Sequence, residues 1–149
     1  MKYFYLVFST VLAAVLLNSC ASNKELQEGS PAQFDQSYFT STSNSLQLFI
    51  PVKAIQANRI SLDSVYFRGM KSALQQDPEN TGVYTAQFNT GNKELIMSSD
   101  PAEEYANKVP QMPVKVPFEL KSDEALVVFK ENNKKKYYRI TGIKERSKE

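Results

Sequence analysis

The densest group of side chains that could do acid–base or metal chemistry is the acidic segment SSDPAEEY. Asp100, Glu103 and Glu104 could ligate Ca²⁺ through carboxylate oxygens, or act as a general acid and base. The same pattern is typical of a helix start, because Asp100 is a good N-cap, Pro101 suits the first helical position and Glu103 suits the capping box. We favour the cap. We therefore expect one short helical turn at 101–107, and keep the carboxylates as a weak metal or catalytic candidate.

The residue counts exclude several other site chemistries. The chain has no histidine and a single cysteine, Cys20, so neither a Ser-His nor a Cys-His nucleophile pair can form. The same counts exclude zinc and copper sites built from Cys and His, and an internal disulfide. The formal charge of +2 comes from interspersed basic and acidic residues, whereas nucleic-acid-binding proteins gather a basic excess on one face. We expect no cofactor and no nucleic-acid partner.

The beginning of the chain, MKYFYLVFSTVLAAVLLNSC, has the pattern of an export signal. Lys2 supplies a positive charge, and residues 4–17 form an uncharged apolar stretch of about 14 residues. As a helix this stretch would be roughly 21 Å long, shorter than the roughly 30 Å hydrocarbon core of a bilayer. A signal peptide is therefore favoured over a membrane-spanning helix.

The end of this stretch, Leu17-Asn18-Ser19-Cys20, resembles the bacterial lipobox. An apolar residue stands three positions before the cysteine and a small residue directly before it, although Asn18 departs from the usual middle residue. The resemblance implies cleavage before Cys20, a diacylglycerol on its thiol and palmitate-type acylation of the new amine. An ordinary secretory signal with an accidental cysteine is the alternative. We expect residues 1–19 to be removed and the mature chain to be held at the membrane by its lipid.

The residues after the cysteine bear on location and on domain organisation. Ala21 stands where lipoproteins retained in the inner membrane can carry Asp, so the resemblance favours the outer membrane and leaves periplasmic and surface faces open. Residues 20–33 are small and polar, with Gly29 and Pro31, which is typical of a flexible tether. The remaining chain, 34–149, is long enough for a single domain.

The only contiguous basic run is Lys134-Lys135-Lys136. These lysines could meet anionic lipid headgroups. Three charges at a solvated hairpin tip would also discourage edge-to-edge strand pairing. We favour the second role and keep the three lysines as a possible interaction surface.

Tyrosines are the other candidates for an interaction surface. Tyr137 and Tyr138 point to opposite faces of one predicted strand, so one should be buried and the other exposed. An exposed Tyr138 or Tyr66 could contribute to binding, because tyrosine is enriched in interface hot spots.

Short runs of alternating apolar and polar residues, separated by turn residues, recur from residue 46 onward. The predicted strands are 46–50, ended by Pro51; 59–68, with a bulge near Asp63-Ser64 and a weak continuation to 74; 83–88; 95–97; 116–120; 125–130; and 137–143. Segment 108–117 carries three prolines and could either cross between sheets or offer an extended strand to a partner; we favour the crossing. The pattern predicts an all-β fold, a small antiparallel sandwich of immunoglobulin-like type with at most one short helix.

The runs VYFRG, YTAQF, SSDPAEEY and PFELKSDEALVVFKENNKKKYYRI are similar to those of small exported lipoproteins of the Bacteroidota. The resemblance covers most of the mature chain, implies export and a small β-domain, and transfers no active site. The expected anchor, the β pattern and the missing catalytic side chains favour a lipid-anchored, non-catalytic envelope module that binds an envelope protein partner or serves as an accessory subunit. The alternatives are a carboxylate-based enzyme or calcium-dependent binder, and a cell-wall or surface-glycan attachment module. The lack of Trp weakens the glycan alternative.

Overall fold

The computed structural model describes residues 24–91 and 110–147. Within these ranges the chain forms strands and no helix. The strands are β1 (Ala32–Phe34), β2 (Tyr38–Ser41), β3 (Ser45–Ile55), β4 (Ile60–Phe67), β5 (Met70–Ala73), β6 (Gln75–Gln76), β7 (Val83–Asn89), β8 (Ala125–Glu131), β9 (Lys134–Ile140) and β10 (Lys144–Glu145). The signal segment with Cys20, the predicted strand 95–97 and the predicted turn 101–107 lie outside the described residues. In the described part of the chain, no helix could cross a membrane.

The strands form two layers. The larger sheet has the order β10-β2-β3-β7-β6, and β1 also pairs with β3; the smaller sheet has the order β5-β4-β8-β9. Every pairing in these sheets is antiparallel except that of β10 with β2. The predicted all-β fold and small antiparallel sandwich are confirmed.

The main core lies between the two sheets. Leu46, Leu48 and Ile50 alternate inward along β3, as their spacing predicts. Phe67 of β4 is fully buried, and its ring lies 5.4 Å from that of Phe39. The inward residues of both layers thus form one contiguous apolar cluster.

Strand β3 continues through Pro51 to Ile55, so the prediction that it ends at Pro51 is wrong. β3 pairs with β2 as far as Phe49 and with β1 from Val52 onward. Pro51 therefore sits where β3 changes partner, and its carbonyl accepts a 2.9 Å hydrogen bond from the Asp35 N–H. A missing N–H is tolerated at such a break in the ladder.

Strand β4 has the predicted bulge, but the chain after it reverses. Its register with β8 shifts between Leu62 and Ser64. Arg68 and Gly69 then take φ values of 49° and 77°, which is the two-residue turn that joins antiparallel strands. Residues 70–73 form β5 alongside β4, so the predicted continuation of one strand to 74 is wrong.

The predicted C-terminal hairpin is confirmed, but its second strand is Lys134–Ile140 and not 137–143, because the turn needs only two residues. β8 and β9 pair in continuous register from Ala125↔Ile140 to Glu131↔Lys134. Asn132 and Asn133 form the turn with φ values of 48° and 65°. Asparagine tolerates this left-handed region better than most residues, which explains the pair at this position.

The smaller sheet is covered on both faces. All five residues of β8 from Ala125 to Phe129 are buried. The face turned away from the main core carries a second cluster of buried residues: Tyr66, Leu126, Val128 and Tyr137. Four partly buried side chains cover that cluster: Leu26, Val116, Phe118 and Leu120.

The segments that cover the second cluster differ from their predicted roles. Residues 116–120 form no strand, so the predicted strand there is wrong; they pack over the sheet as irregular chain. Segment 110–116 also lacks strand structure, as its prolines indicate. Leu26 and Ala32 belong to the packed part of the molecule, although composition assigns both to the tether.

We predict that Leu126→Ala destabilises the protein by about 2–5 kcal/mol, because Leu126 is fully buried under this cover. Met112→Ala is the control and should change the free energy of unfolding by less than about 0.5 kcal/mol, since Met112 is 81% exposed. Urea unfolding followed by circular dichroism measures both. Equal, small effects would show that the outer face of the sheet is open to solvent.

Candidate binding surfaces

One end of the sandwich gathers five cations, and we call it the basic end. It contains Arg59, Lys130, Lys134, Lys135 and Lys136. The β8–β9 register sets the lysines at the hairpin, and the Asn132 N–H donates a 3.2 Å hydrogen bond to the Arg59 carbonyl. This bond joins the hairpin to the turn between β3 and β4, so residues distant in the sequence share one surface.

Two carboxylates at the basic end neutralise part of its charge. The Lys136 ammonium lies 2.6 Å from the Glu131 carboxylate, and the Arg59 guanidinium lies 3.5 Å from it. Lys130 pairs more loosely with Asp63 at 3.7 Å. The hydrogen bond and charge of Lys136, followed by the charge of Arg59, hold the pKa of Glu131 below its usual value.

Lys134 and Lys135 are the unneutralised members of the basic end. Both are exposed, and neither forms an ion pair with the described residues. The Lys135 ammonium lies 6.0 Å from the centre of the Tyr137 ring, at the limit for a cation–π contact. Five cations thus face two carboxylates, and the surface has an excess of positive charge.

The tyrosines differ from their expected exposure. Tyr66 is buried at 8% exposure in the second cluster, so the expectation that it is exposed for binding is wrong. Tyr137 is likewise buried, whereas Tyr138 is half-buried and stacks on Phe34 with ring centres 5.6 Å apart. Tyr66 faces away from the main core as its alternation implies, but the irregular segment 116–120 covers that face.

The acidic candidates lie outside the described residues. Asp100, Glu103 and Glu104 fall in the gap between residues 91 and 110, and Cys20 precedes residue 24. Within 24–91 and 110–147, no three Asp, Glu, Cys or His side chains are grouped closely enough to hold a metal ion.

A second surface, which the sequence did not indicate, lies on the outward face of the larger sheet. We call Tyr38, Phe49 and Arg146 the aromatic stack. The rings of Tyr38 and Phe49 are nearly parallel, 11° apart in plane, with centres separated by 4.8 Å. The Arg146 guanidinium lies 4.0 Å from the centre of the Tyr38 ring.

The strand pairing builds the aromatic stack. The β2–β3 register places Tyr38 directly opposite Phe49, while their neighbours Phe39 and Leu48 turn into the core. The Arg146 N–H donates a 2.8 Å hydrogen bond to the Phe39 carbonyl, which sets the arginine beside β2. Stacked tyrosine, phenylalanine and arginine offer a flat, preorganised contact surface of the kind enriched in protein interfaces.

We predict that Lys136→Gln raises the pKa of Glu131 towards its ordinary value, because the hydrogen bond and charge of Lys136 are lost, whereas Lys135→Gln leaves this pKa unchanged. The stabilisation from a lowered carboxyl pKa is present above the unfolded-state value and is lost as the pH falls through the folded-state value. In the wild-type protein this loss therefore begins as the pH falls into the usual glutamate range and is complete below the lowered folded-state pKa. Carbon-13 titration of the Glu131 carboxyl in the two variants measures the effect, and an equal response in both would contradict the ion pair.

Comparison of the chain with protein-family models, with curated proteins and with solved structures found no match. The immunoglobulin-like subtype and the lipoprotein resemblance therefore stay predictions.

Proposed function

We propose that the protein is a lipid-anchored, non-catalytic module of the bacterial cell envelope that binds an envelope protein through the aromatic stack. The observation that carries this proposal is the short distance in sequence between the lipobox cysteine and the packed domain. Leu26 is already in contact with the second cluster, six positions after Cys20.

The contact of the N-terminal segment with the domain supports attachment at this point. Leu26 forms a bridge with Tyr137, and the Gln27 N–H donates a 2.8 Å hydrogen bond to the Tyr137 carbonyl. A lipid on Cys20 would therefore hold the folded domain itself close to the bilayer. Two or three acyl chains make such attachment stable, at about 0.8 kcal/mol per buried methylene.

The location of the aromatic stack supports a binding role. Its residues lie on the outward face of the larger sheet, whereas the corresponding face of the smaller sheet is covered by the chain itself. Exposed Gln47 and Gln87 on the same outward face offer hydrogen-bonding groups beside the aromatic rings. An aromatic centre with a polar surround is the usual arrangement of a protein interface.

The anchor is tested with Cys20→Ser. We expect this variant to lose the lipid mass from its N-terminus and to move from the detergent phase to the aqueous phase in Triton X-114. Ser19→Ala is the matched control, because it keeps a small residue before the cysteine and should partition as the wild type does. Unchanged partitioning of Cys20→Ser would refute the anchor.

The binding surface is tested with Arg146→Glu, which removes the guanidinium from the Tyr38 ring and adds a negative charge. We expect a stoichiometric cross-linked complex in intact cells, reduced at least about tenfold in this variant, as for the loss of an interface hot spot. Lys121→Glu, an equal charge change at an exposed position outside the stack, should leave the complex unchanged. Equal yields from both variants, or no complex with the wild type, would refute binding through this surface.

A further inference from the structure

We propose that the basic end docks on an anionic phospholipid surface, with the domain held in a fixed orientation by its lipid. This inference depends on the proposed anchor at Cys20. It follows from the direction in which the chain leaves the domain and from the charges at that end.

The Leu26–Tyr137 bridge fixes the direction of the chain. The bridge is parallel, and β9 runs from Lys134 at the hairpin towards Ile140. The two described residues before Leu26, Glu25 and Lys24, therefore run back towards Lys134. The N-terminal chain leaves the described domain at the same end as the lysines of the hairpin.

The chain between this exit and the anchor is short. Lys24 follows Cys20 by four positions, which span at most about 14 Å even when fully extended. The composition-based tether of residues 20–33 would allow a separation more than three times as large. The structured contact of Leu26 removes most of that length, so the basic end lies nearest to the membrane.

The charge of this end suits an anionic surface. The basic end has five cations against two carboxylates, and Lys134 and Lys135 have no ion-pair partner among the described residues. Lys24 and Glu25, beside the exit, balance each other. Each cation near an anionic membrane strengthens binding about fivefold.

The tether makes this electrostatic attraction effective. Five partly neutralised cations would bind a membrane weakly on their own. A short tether turns the contact into an intramolecular step with an effective concentration in the millimolar range. Because two or three acyl chains already hold the protein at the bilayer, the basic end contributes to the orientation of the domain and not to its attachment.

The same lysines could instead serve only to prevent strand pairing at the hairpin. That role does not depend on lipid composition. Docking requires protection of Lys134 and Lys135 by anionic lipid, and this difference separates the two explanations.

The test uses the full lipidated protein bound to vesicles of phosphatidylcholine, with or without phosphatidylglycerol. Amine acetylation is followed residue by residue by mass spectrometry. We expect acetylation of Lys134 and Lys135 to be about fivefold slower on vesicles that contain phosphatidylglycerol. The protection should disappear near 1 M salt, where the Debye length is about 3 Å.

Lys121 and Lys144 are the internal controls, and their acetylation should not change. Lys121 precedes the start of β8, at the opposite end of that strand from Glu131. Lys144 is level with Tyr38 and Phe49 on the larger sheet, away from the Ile55 end of β3. Lys130, which lies opposite Lys135, should also be protected in the wild-type protein. The paired variant Lys134→Gln/Lys135→Gln should lose this protection, whereas Lys121→Gln/Lys144→Gln should retain it.

Vesicle flotation separates this proposal from the proposed anchor. Flotation with both vesicle types and equal acetylation of Lys134 and Lys135 would overturn docking and uphold the anchor. Flotation only with phosphatidylglycerol would show binding by charge alone, and would overturn the anchor together with the tethered orientation that depends on it. Flotation with neither would overturn both.

Discussion

Burial of β8 on both faces is the constraint on which the rest of the molecule depends. A single strand of five consecutive buried residues needs one layer of chain on each side. The larger sheet supplies one layer, and irregular chain around Leu26 and residues 116–120 supplies the other. The second layer fixes the N-terminal segment against β9, and with it the direction in which any tether must leave.

Features set by neighbouring residues could be predicted from the sequence. The inward positions of β3, the bulge in β4 and the Asn132-Asn133 hairpin all follow from alternation or turn chemistry within a few residues. Pro51 and segment 116–120 depart from their predicted structure because that structure depends on distant partners. Pro51 is tolerated because β3 changes its pairing partner there from β2 to β1. The alternating apolar residues of 116–120 pack on the outer face of the smaller sheet and do not pair as a strand.

The candidate surfaces likewise depend on residues that are distant in the sequence, so they could be predicted only in part. Contiguous lysines are visible in the sequence, but their charge balance depends on Glu131 and on Arg59, which is 72 residues away from it. The aromatic stack had no sequence signal, because only the β2–β3 register brings Tyr38 opposite Phe49. The alternation of apolar and polar residues places Tyr66 on the outward face of β4. It does not show that segment 116–120 covers that face, so the predicted exposure of Tyr66 is wrong.

The Leu26–Tyr137 bridge also has a mechanical consequence for an anchored chain. A force that separates the domain from the bilayer would act first on this bridge, which has one hydrogen bond from Gln27 and the apolar contact of Leu26. Its rupture would release residues 24–31 from the domain and lengthen the tether by up to roughly 28 Å, while the strands of both sheets stay paired. The segment around Leu26 would then yield to the force before the sheets do, and Tyr137 in the second cluster would become exposed to water.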